Sequence, residues 1–160
     1  MARDHFIVPT APERAYMTVR FGAGNALTDQ VTTAEVGKIA KLVGESRYNL
    51  AAVGDEIEAV VAAVELAPQN GYSIVSITDD AKDKMQVTFD GLQGTPGTGV
   101  LAIGDIVVAG SIVAKGTTLT VPVKVCKATT PANVVQKWRV VSLGTVGTGA
   151  VGTTGVIARI

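Results

Sequence analysis

The hydrophobic positions along the chain form short runs that are separated by glycine-rich turns. MQVTFD (residues 85–90) alternates apolar Met85, Val87 and Phe89 with polar residues, which is the spacing of a half-buried β-strand, and YSIVSI (72–77) is a further short run that we predict as a strand. Further apolar runs follow at 100–104, 105–116, 117–128 and 137–144. Run boundaries recur about every ten residues, a spacing typical of all-β domains. The pattern predicts a mainly β fold, a β-sandwich or barrel of short antiparallel strands, with Pro122 on an edge strand or bulge.

Two regions fit either a strand or a helix. In residues 54–67 (GDEIEAVVAAVELA) the spacing of Ile57, Val60 and Val64 fits one helical face. The Gly-Asp turn signal that opens this segment and its β-like flanks favour a strand. Residues 36–50 fit two short strands around a turn at GES, whereas a helix capped by Thr33 is the alternative.

The first thirty residues differ from the rest because they show little regular pattern. Two prolines in VPTAP favour extended backbone, and the glycines and Asn of RFGAGNALTDQ mark turns. Between them, AYMTVRF has the pattern of a short strand. We predict an extended N-terminal arm over residues 1–30, lying on its own core or on a neighbour, followed by a β domain over 31–160.

Composition and charge exclude several classes of protein. The 160 residues are 47% hydrophobic with few aromatic side chains, and Lys+Arg equals Asp+Glu at 14 each. Residues 51–100 carry eight acidic and two basic side chains, whereas residues 101–160 carry one acidic and six basic. This asymmetry suits contacts between subunits or an ordinary solvated surface. No polybasic run and no apolar run of about 18 residues occurs, so nucleic acid and membrane are not expected partners.

One stretch matches a nucleotide-binding motif. GTGAVG, residues 147–152, has the spacing G-x-G-x-x-G and follows the β-like run WRVVSL. A dinucleotide site also needs a helix after the glycines and an acidic residue about 20 positions later. Only eight residues follow Gly152, and none of them is acidic. We therefore expect a Gly/Thr-rich turn that leads into a short strand, GVIARI.

The reactive side chains are sparse. His5 is the only histidine, and Cys126 lies in a strand-like run where a buried, inert thiol is expected. The aspartates Asp79, Asp80, Asp83 and Asp90 do not follow an EF-hand pattern, which favours a solvated loop. Glu56 and Glu58 would share one face of a strand, a geometry open to acid–base work but more typical of an outer polar face. We predict no enzymatic activity, no metal and no cofactor.

Two segments echo each other: VGDEIEAVVAAVE and IGDIVVAGSIVAK both open with an apolar residue, Gly and Asp, and continue into Val/Ala-rich runs. A repeated strand–turn–strand unit and independent use of the same turn chemistry both explain this echo, and the second explanation is favoured because the match is short.

Three stretches together carry a family resemblance. They are AAVGDEIEAVVAAVE, VTFDGLQGTPGTGVLAIGDIVVAGSIVAKGTTL and WRVVSLGTVGTGAVGTTGVIARI. In these stretches the chain resembles the small head decoration, or capsid cement, proteins of tailed bacteriophages. The resemblance implies a mainly β protein that binds the outer surface of a capsid, forms trimers, and clamps neighbouring major capsid subunits.

From this resemblance we predict a virion protein on the capsid exterior, with the major capsid protein and itself, as a homotrimer, as partners. The predicted capsid contacts lie in the arm, at Arg3, Phe6, Ile7, Val8, Arg14 and Arg20. The predicted self-association contacts lie at the other end, at Val156, Ile157 and Ile160. The alternative is a virion β-module that binds a host glycan or receptor through Trp138, Tyr48 and Tyr72.

Overall fold

The described residues form eleven strands and two short 3-10 turns. The computed structural model describes residues 16–22, 31–44, 47–67, 72–78 and 84–160. The strands are β1 (Tyr16–Phe21), β2 (Ile39–Gly44), β3 (Arg47–Leu50), β4 (Ala59–Ala67), β5 (Tyr72–Thr78), β6 (Lys84–Leu92), β7 (Thr95–Pro96), β8 (Ile106–Ala109), β9 (Lys124–Lys127), β10 (Trp138–Ser142) and β11 (Thr154–Arg159). The 3-10 turns are Thr33–Glu35 and Pro131–Asn133. The prediction of a mainly β fold of short strands is confirmed.

The first five strands close into a barrel in the order β1-β3-β2-β4-β5, with β5 pairing back to β1. All pairings are antiparallel except that of β1 with β3, which is parallel. We call this ring the first barrel. Alternation along β1 places Val19 and Phe21 in its interior. Because β1 pairs on both sides, the barrel begins at Tyr16, inside the segment that was predicted as an arm.

The second barrel has the order β6-β9-β8-β10-β11, and it closes because β11 also pairs with β6. Again one pairing is parallel, that of β6 with β9, and the others in the ring are antiparallel. The short strand β7 is a hairpin partner of β6 outside the ring. The terminal strand β11 therefore pairs on both edges within its own barrel.

The two barrels are copies of one topology. β1, β2, β3, β4 and β5 correspond in order and direction to β6, β8, β9, β10 and β11. The register corresponds as well, since Met17 pairs with Ile77 as Met85 pairs with Ile157. The fourth strands share an irregularity, between Val61 and Ala63 in β4 and between Val140 and Ser142 in β10. The chain is thus an internal repeat of a five-stranded barrel.

Traces of this repeat remain in the sequence. YMTVRF of β1 and KMQVTF of β6 share M-x-V-x-F at the core-facing positions. Before the second strand of each barrel lie VGKIA and IGDIV, where a left-handed glycine donates its amide to the fourth strand: Gly37 to Val61 and Gly104 to Val140, both at 2.8 Å. These motifs were not recognised as a repeat in the sequence because each is short.

The Gly-Asp echo that the sequence did show has a local origin. In both turns the aspartate carboxylate accepts a 2.8 Å hydrogen bond from the amide three residues earlier, Asp55 from Ala52 and Asp105 from Ala102. The two turns lie at different places in the topology, one before β4 and the other before β8. Shared turn chemistry explains this echo, as expected, and the repeat is carried by other residues.

The core residues settle two open points of the sequence analysis. Residues 59–67 form strand β4, because Ala59 and Val61 point into the first barrel while Val60 packs against the second. A helix would need only one apolar face, whereas both faces of this strand are covered at Ala59, Val60 and Val61. Pro122 does not lie within a strand: β9 begins at Lys124 and is flanked on both sides by paired strands, so it is not an edge strand.

The barrels share one hydrophobic core. The interior residues of the second barrel cluster with four residues of the first, Ile39, Ala51, Ile57 and Val60. Two of these, Ala51 and Ile57, lie in the segment from 51 to 58, which runs from β3 to β4 and which we call the first crossover. Burial of this apolar surface joins the two barrels into one packed body.

Candidate interaction surface

One end of the second barrel is formed by two long segments, residues 91–104, which begin in the last two residues of β6, and residues 143–153, which follow β10. We call these two segments, or loops, the tip. β6 and β10 end on this side, and β8 and β11 begin there, so both loops emerge together. A bridge pairs Val100 with Ala150, and the amide of Leu101 donates a 2.9 Å hydrogen bond to the carbonyl of Gly149. The two loops are therefore fixed to each other by backbone bonds.

Glycine is required at two close backbone contacts of the tip. Between the loops, a Cβ atom on Gly149 would lie 1.7 Å from the carbonyl oxygen of Leu101, and within the first loop one on Gly91 would lie 1.9 Å from that of Thr98. In the segment GTGAVG, Gly147 and Gly152 have positive φ angles in turns, and the next element is strand β11 rather than a helix. The glycines of the G-x-G-x-x-G match therefore serve turns and close packing, as the sequence predicted.

The tip carries no charged residue over either loop. Its largest exposed side chains are apolar: Val100, Ile103 and Val146 are each more than half exposed, and Leu92 and Val151 are exposed as well. Threonine hydroxyls add hydrogen-bonding capacity, as in Thr98, which donates to the carbonyl of Thr95 at 2.7 Å. An apolar, uncharged surface held by backbone bonds is suited to contact with another protein, since burying it removes no charge from water.

The opposite end of the second barrel carries a long segment, residues 110–123 between β8 and β9, which we call the strap. It is fastened to the first barrel by a buried ion pair. Glu35 is fully buried, and its Oε1 accepts from Lys38 Nζ at 3.3 Å and from the amide of Gly116 at 2.5 Å. Lys38 Nζ also donates to the carbonyl of Ala114 at 2.9 Å. Charge and hydrogen bonds together hold the strap in place.

The protonation of Glu35 is set by its partners. Burial would raise the pKa of this carboxyl, but amide hydrogen bonds from Thr32 and Gly116 and the nearby Lys38 ammonium outweigh burial and lower the pKa below its ordinary value. Thr32 and Glu35 also form a reciprocal capping box at the start of the 3-10 turn. Glu35 is therefore an ionised structural residue at the junction of the barrels.

A cavity of about 320 Å³ lies beneath the strap. Most of its lining is apolar, including Ile39, Leu50 and Leu119. Two of its lysines already have carboxylate partners, Lys38 with Glu35 and Lys124 with Asp90 at 3.7 Å. We assign this cavity no ligand.

Most of the predicted capsid contacts, Arg3, Phe6, Ile7, Val8 and Arg14, lie outside the described residues, and so does His5. Arg20 lies on β1, opposite Ile74 and Arg47. The predicted self-association residues all lie on or after β11. Ile157 is fully buried in the core, so a contact between subunits at this end would rest on the half-buried Val156 and the exposed Ile160.

The acidic residues considered for chemistry hold loops in place. Glu56 accepts the amides of Val135 and Gln136 at 3.0 and 2.8 Å, and Glu58 accepts the amide of Leu42 at 2.8 Å. These bonds assign Glu56 and Glu58 structural roles. Among the described ranges no group of three or more His, Cys, Asp or Glu side chains could hold a metal ion. Asp79, Asp80 and Asp83 lie outside those ranges.

Asp90 and Cys126 form a buried pair near the strap. Asp90 accepts the amide of Ser111 at 2.7 Å, and the Cys126 thiol contacts its carboxylate at 3.8 Å. Burial, followed by the negative charge of Asp90, raises the pKa of Cys126 to about 12. The prediction that this thiol is buried is confirmed.

The aromatic residues do not form an exposed platform in the described structure. Trp138 and Tyr48 are both buried, in the cores of the second and first barrels respectively. The side chain of Tyr72 lies outside what the structure describes. The glycan-binding alternative therefore gains no support from Trp138 or Tyr48.

Comparison of the chain with protein-family profiles, curated proteins and solved structures finds no match. Within the described residues, no helix has both the length and the apolar character needed to cross a membrane. The tip is the feature that sequence reasoning missed. Its signal was present as two stretches free of charged residues, 91–104 and 143–158.

Proposed function

We propose that this protein is a structural component of a tailed-phage particle, which binds the outer surface of the capsid and cements neighbouring major capsid subunits. The observation that carries the proposal is the uncharged, apolar tip on a rigid double barrel. The resemblance of AAVGDEIEAVVAAVE and the Gly/Thr-rich loops to capsid cement proteins supports the same function.

The tip suits this task for a physical reason. Its loops are tied by backbone hydrogen bonds and by close glycine contacts, so little conformational entropy is lost when they dock. Its exposed side chains Val100, Ile103 and Val146 supply apolar area without a charge to desolvate. A capsid offers the same site many times, and linked copies gain avidity from modest individual contacts.

The arm is the second proposed contact. Residues 1–15 precede the first barrel and carry Phe6, Ile7 and Val8 next to Arg3 and Arg14. Apolar anchors flanked by arginine are the residue types enriched at binding hot spots. The arm and the tip would act together on the capsid exterior, with the protein associated as a homotrimer.

Co-sedimentation with capsids that lack the protein tests this function. A chain without residues 1–15 keeps β1, which a deletion through residue 20 would remove. We expect this deletion and the double variant Val100→Lys/Val146→Lys each to weaken capsid binding at least tenfold. Ala132→Lys is the matched control, because Ala132 is exposed but lies outside the tip.

The outcomes separate the two contacts. Full occupancy by the tip variant would remove the tip from the proposal, and full occupancy by the deletion variant would remove the arm. A wild-type chain that does not sediment with capsids would overturn the proposed function itself. Circular dichroism of each variant establishes that a loss of binding is not a loss of fold.

A further inference from the structure

The repeat makes it possible to compare corresponding surfaces of the two barrels. We call the end of each barrel at which its first strand begins the lower end. In the second barrel the lower end lies opposite the tip. The lower end of the second barrel is closed by the first crossover. Ile57 is fully buried there, its carbonyl accepts the Trp138 indole N–H at 2.8 Å, and Ala109 exchanges 2.8 Å backbone bonds with Gly54 and Asp55.

At the corresponding end of the first barrel, which we call open, no described residue provides such a cover. Met17 occupies the position of Met85, yet Met17 is 43% exposed and Met85 is 0% exposed. Leu42 occupies the position of Ala109, yet Leu42 is 45% exposed and Ala109 is 2% exposed. Two separate strands therefore show the same difference between the barrels.

Both exposed residues are on the core-facing side of their strands. Met17 shares its face with Val19 and Phe21, which are buried, and Leu42 lies opposite Tyr48, a member of the first core. Among the described residues, apolar side chains on the core-facing side of two strands are therefore left exposed at this end. At the position that the large Trp138 occupies in the second barrel, the first barrel has the much smaller Ala59.

The chain also carries a second copy of the segment that closes such an end. Residues 128–137 run from β9 to β10, as residues 51–58 run from β3 to β4, and we call them the second crossover. Val135 lies in this segment three residues before β10, next to Gln136, which is the position that corresponds to Ile57. Val135 is 81% exposed, the highest value among the large hydrophobic side chains of the described residues.

We infer that the second crossover of one copy docks on the open lower end of the first barrel of the next copy, with Val135 set against Met17 and Leu42. The contact between copies would then repeat the contact between barrels within the chain. The inference goes beyond capsid binding and does not rest on it, because it follows from the repeat and from unequal burial at corresponding positions.

The contact would be made by side chains. In the second barrel the amide of Ala109 bonds to the first crossover, whereas the corresponding amide of Leu42 is already bonded to Glu58 within its own barrel. Burial of the apolar side chains of Val135, Met17 and Leu42 would therefore supply most of the free energy of association. Because the two surfaces differ, the contact is head-to-tail, and repeated head-to-tail contacts close into a ring or extend as a chain of copies.

Sedimentation velocity and light scattering of the purified full chain, without capsids, test the inference. We expect the wild-type protein to associate in a concentration-dependent way. Met17→Glu, which removes the lower-end surface, and Val135→Glu, which removes the crossover surface, should each raise the dissociation constant at least tenfold. Thr18→Glu and Asn133→Glu are matched controls, because both residues are exposed neighbours that lie off the proposed contact.

Mixing the two variants gives the sharper test. Met17→Glu retains an intact crossover and Val135→Glu retains an intact lower end, so an equimolar mixture should form a 1:1 dimer and nothing larger. A contact between identical patches would not give this result. If Met17→Glu proves unfolded by circular dichroism, Leu42→Glu takes its place in both experiments.

Three outcomes would overturn the inference. The first is a wild-type chain that stays monomeric up to several hundred micromolar. The second is an assembly whose mass is unchanged by both glutamate variants. The third is a deletion of residues 1–15 that abolishes association while both variants associate normally, since this would assign the contact to the N-terminal segment.

Discussion

The indole nitrogen of Trp138 donates a 2.8 Å hydrogen bond to the backbone carbonyl of Ile57, and this bond passes from the second barrel to the first. Trp138 is the only tryptophan of the chain. Its fluorescence therefore reports on the junction of the barrels. The folded protein should emit at short wavelength, because the indole is buried in an apolar core, and the emission should shift to the red when the junction opens.

Trp138→Phe should lower the free energy of unfolding by about 2–4 kcal/mol. The substitution leaves the Ile57 carbonyl without its buried donor and creates a small cavity, and both effects are destabilising. Urea denaturation followed by circular dichroism measures the change. Arg139→Ala at the exposed neighbouring position is the control, and equal midpoints for both variants would contradict the importance of the bond.

Glu35→Ala should destabilise the protein by about 3–5 kcal/mol, because it leaves the buried Lys38 ammonium without its carboxylate. It should also loosen the strap, whose Gly116 amide loses its acceptor. Hydrogen exchange of residues 111–119 measures the second effect. Strap protection that equals that of the wild type would show that the ion pair does not fasten it.

The same carboxyl predicts a dependence of stability on pH. Since the pKa of Glu35 is lower in the folded state than in the unfolded chain, its contribution is fully present above its ordinary pKa, about 4.3. The contribution is lost as the pH falls through the lower, folded value. We expect the unfolding free energy to decrease below about pH 4 and Glu35→Gln to flatten that decrease. Denaturation midpoints at several pH values, compared for the two chains, measure it.

Gly149→Ala should destabilise the tip, because the added Cβ would lie 1.7 Å from the Leu101 carbonyl oxygen and would force the two loops apart. Gly94→Ala is the matched control, because nothing lies within 4 Å of a Cβ at that position. We expect a clear drop in melting temperature for the first variant and a change of a degree or two for the second. Equal melting temperatures would contradict the close packing of the loops.

Cys126 should not react with thiol reagents in the folded protein. Its side chain is fully buried, and burial beside Asp90 raises its pKa to about 12, so the thiolate is scarce at neutral pH. Labelling with a disulfide reagent at pH 8 should proceed at the rate of unfolding. Labelling that is complete within seconds under native conditions would show that the thiol is accessible.

Local patterns predicted the strands and not their arrangement. Alternation in MQVTFD is a property of neighbouring residues, and Met85, Val87 and Phe89 share the buried face of β6, as predicted; YSIVSI forms strand β5, also as predicted. Closure into two barrels depends on distant pairings such as Val19 with Val75, for which no local signal exists. The repeat was difficult to recognise in the sequence because corresponding core positions of the two barrels carry side chains of different size, such as Ala59 in the first and Trp138 in the second.

The tip could have been found only in part. The absence of charge in 91–104 and 143–158 was visible in the sequence, but the bridge between Val100 and Ala150 that joins the two stretches was not. In the predicted arm, the sequence indicated the local structure but not its place in the fold. AYMTVRF was recognised as a short strand, yet its flanking turns and prolines hid the fact that it closes a barrel by pairing with both β3 and β5.

The position of the first crossover has a consequence for biosynthesis. Proteins emerge from the ribosome with the N-terminal part first, and early segments fold before later ones are made. Ile57 leaves the ribosome some eighty residues before Trp138. The first crossover is therefore available before the last strands of the second barrel are synthesised, and those strands can pack directly against its apolar surface.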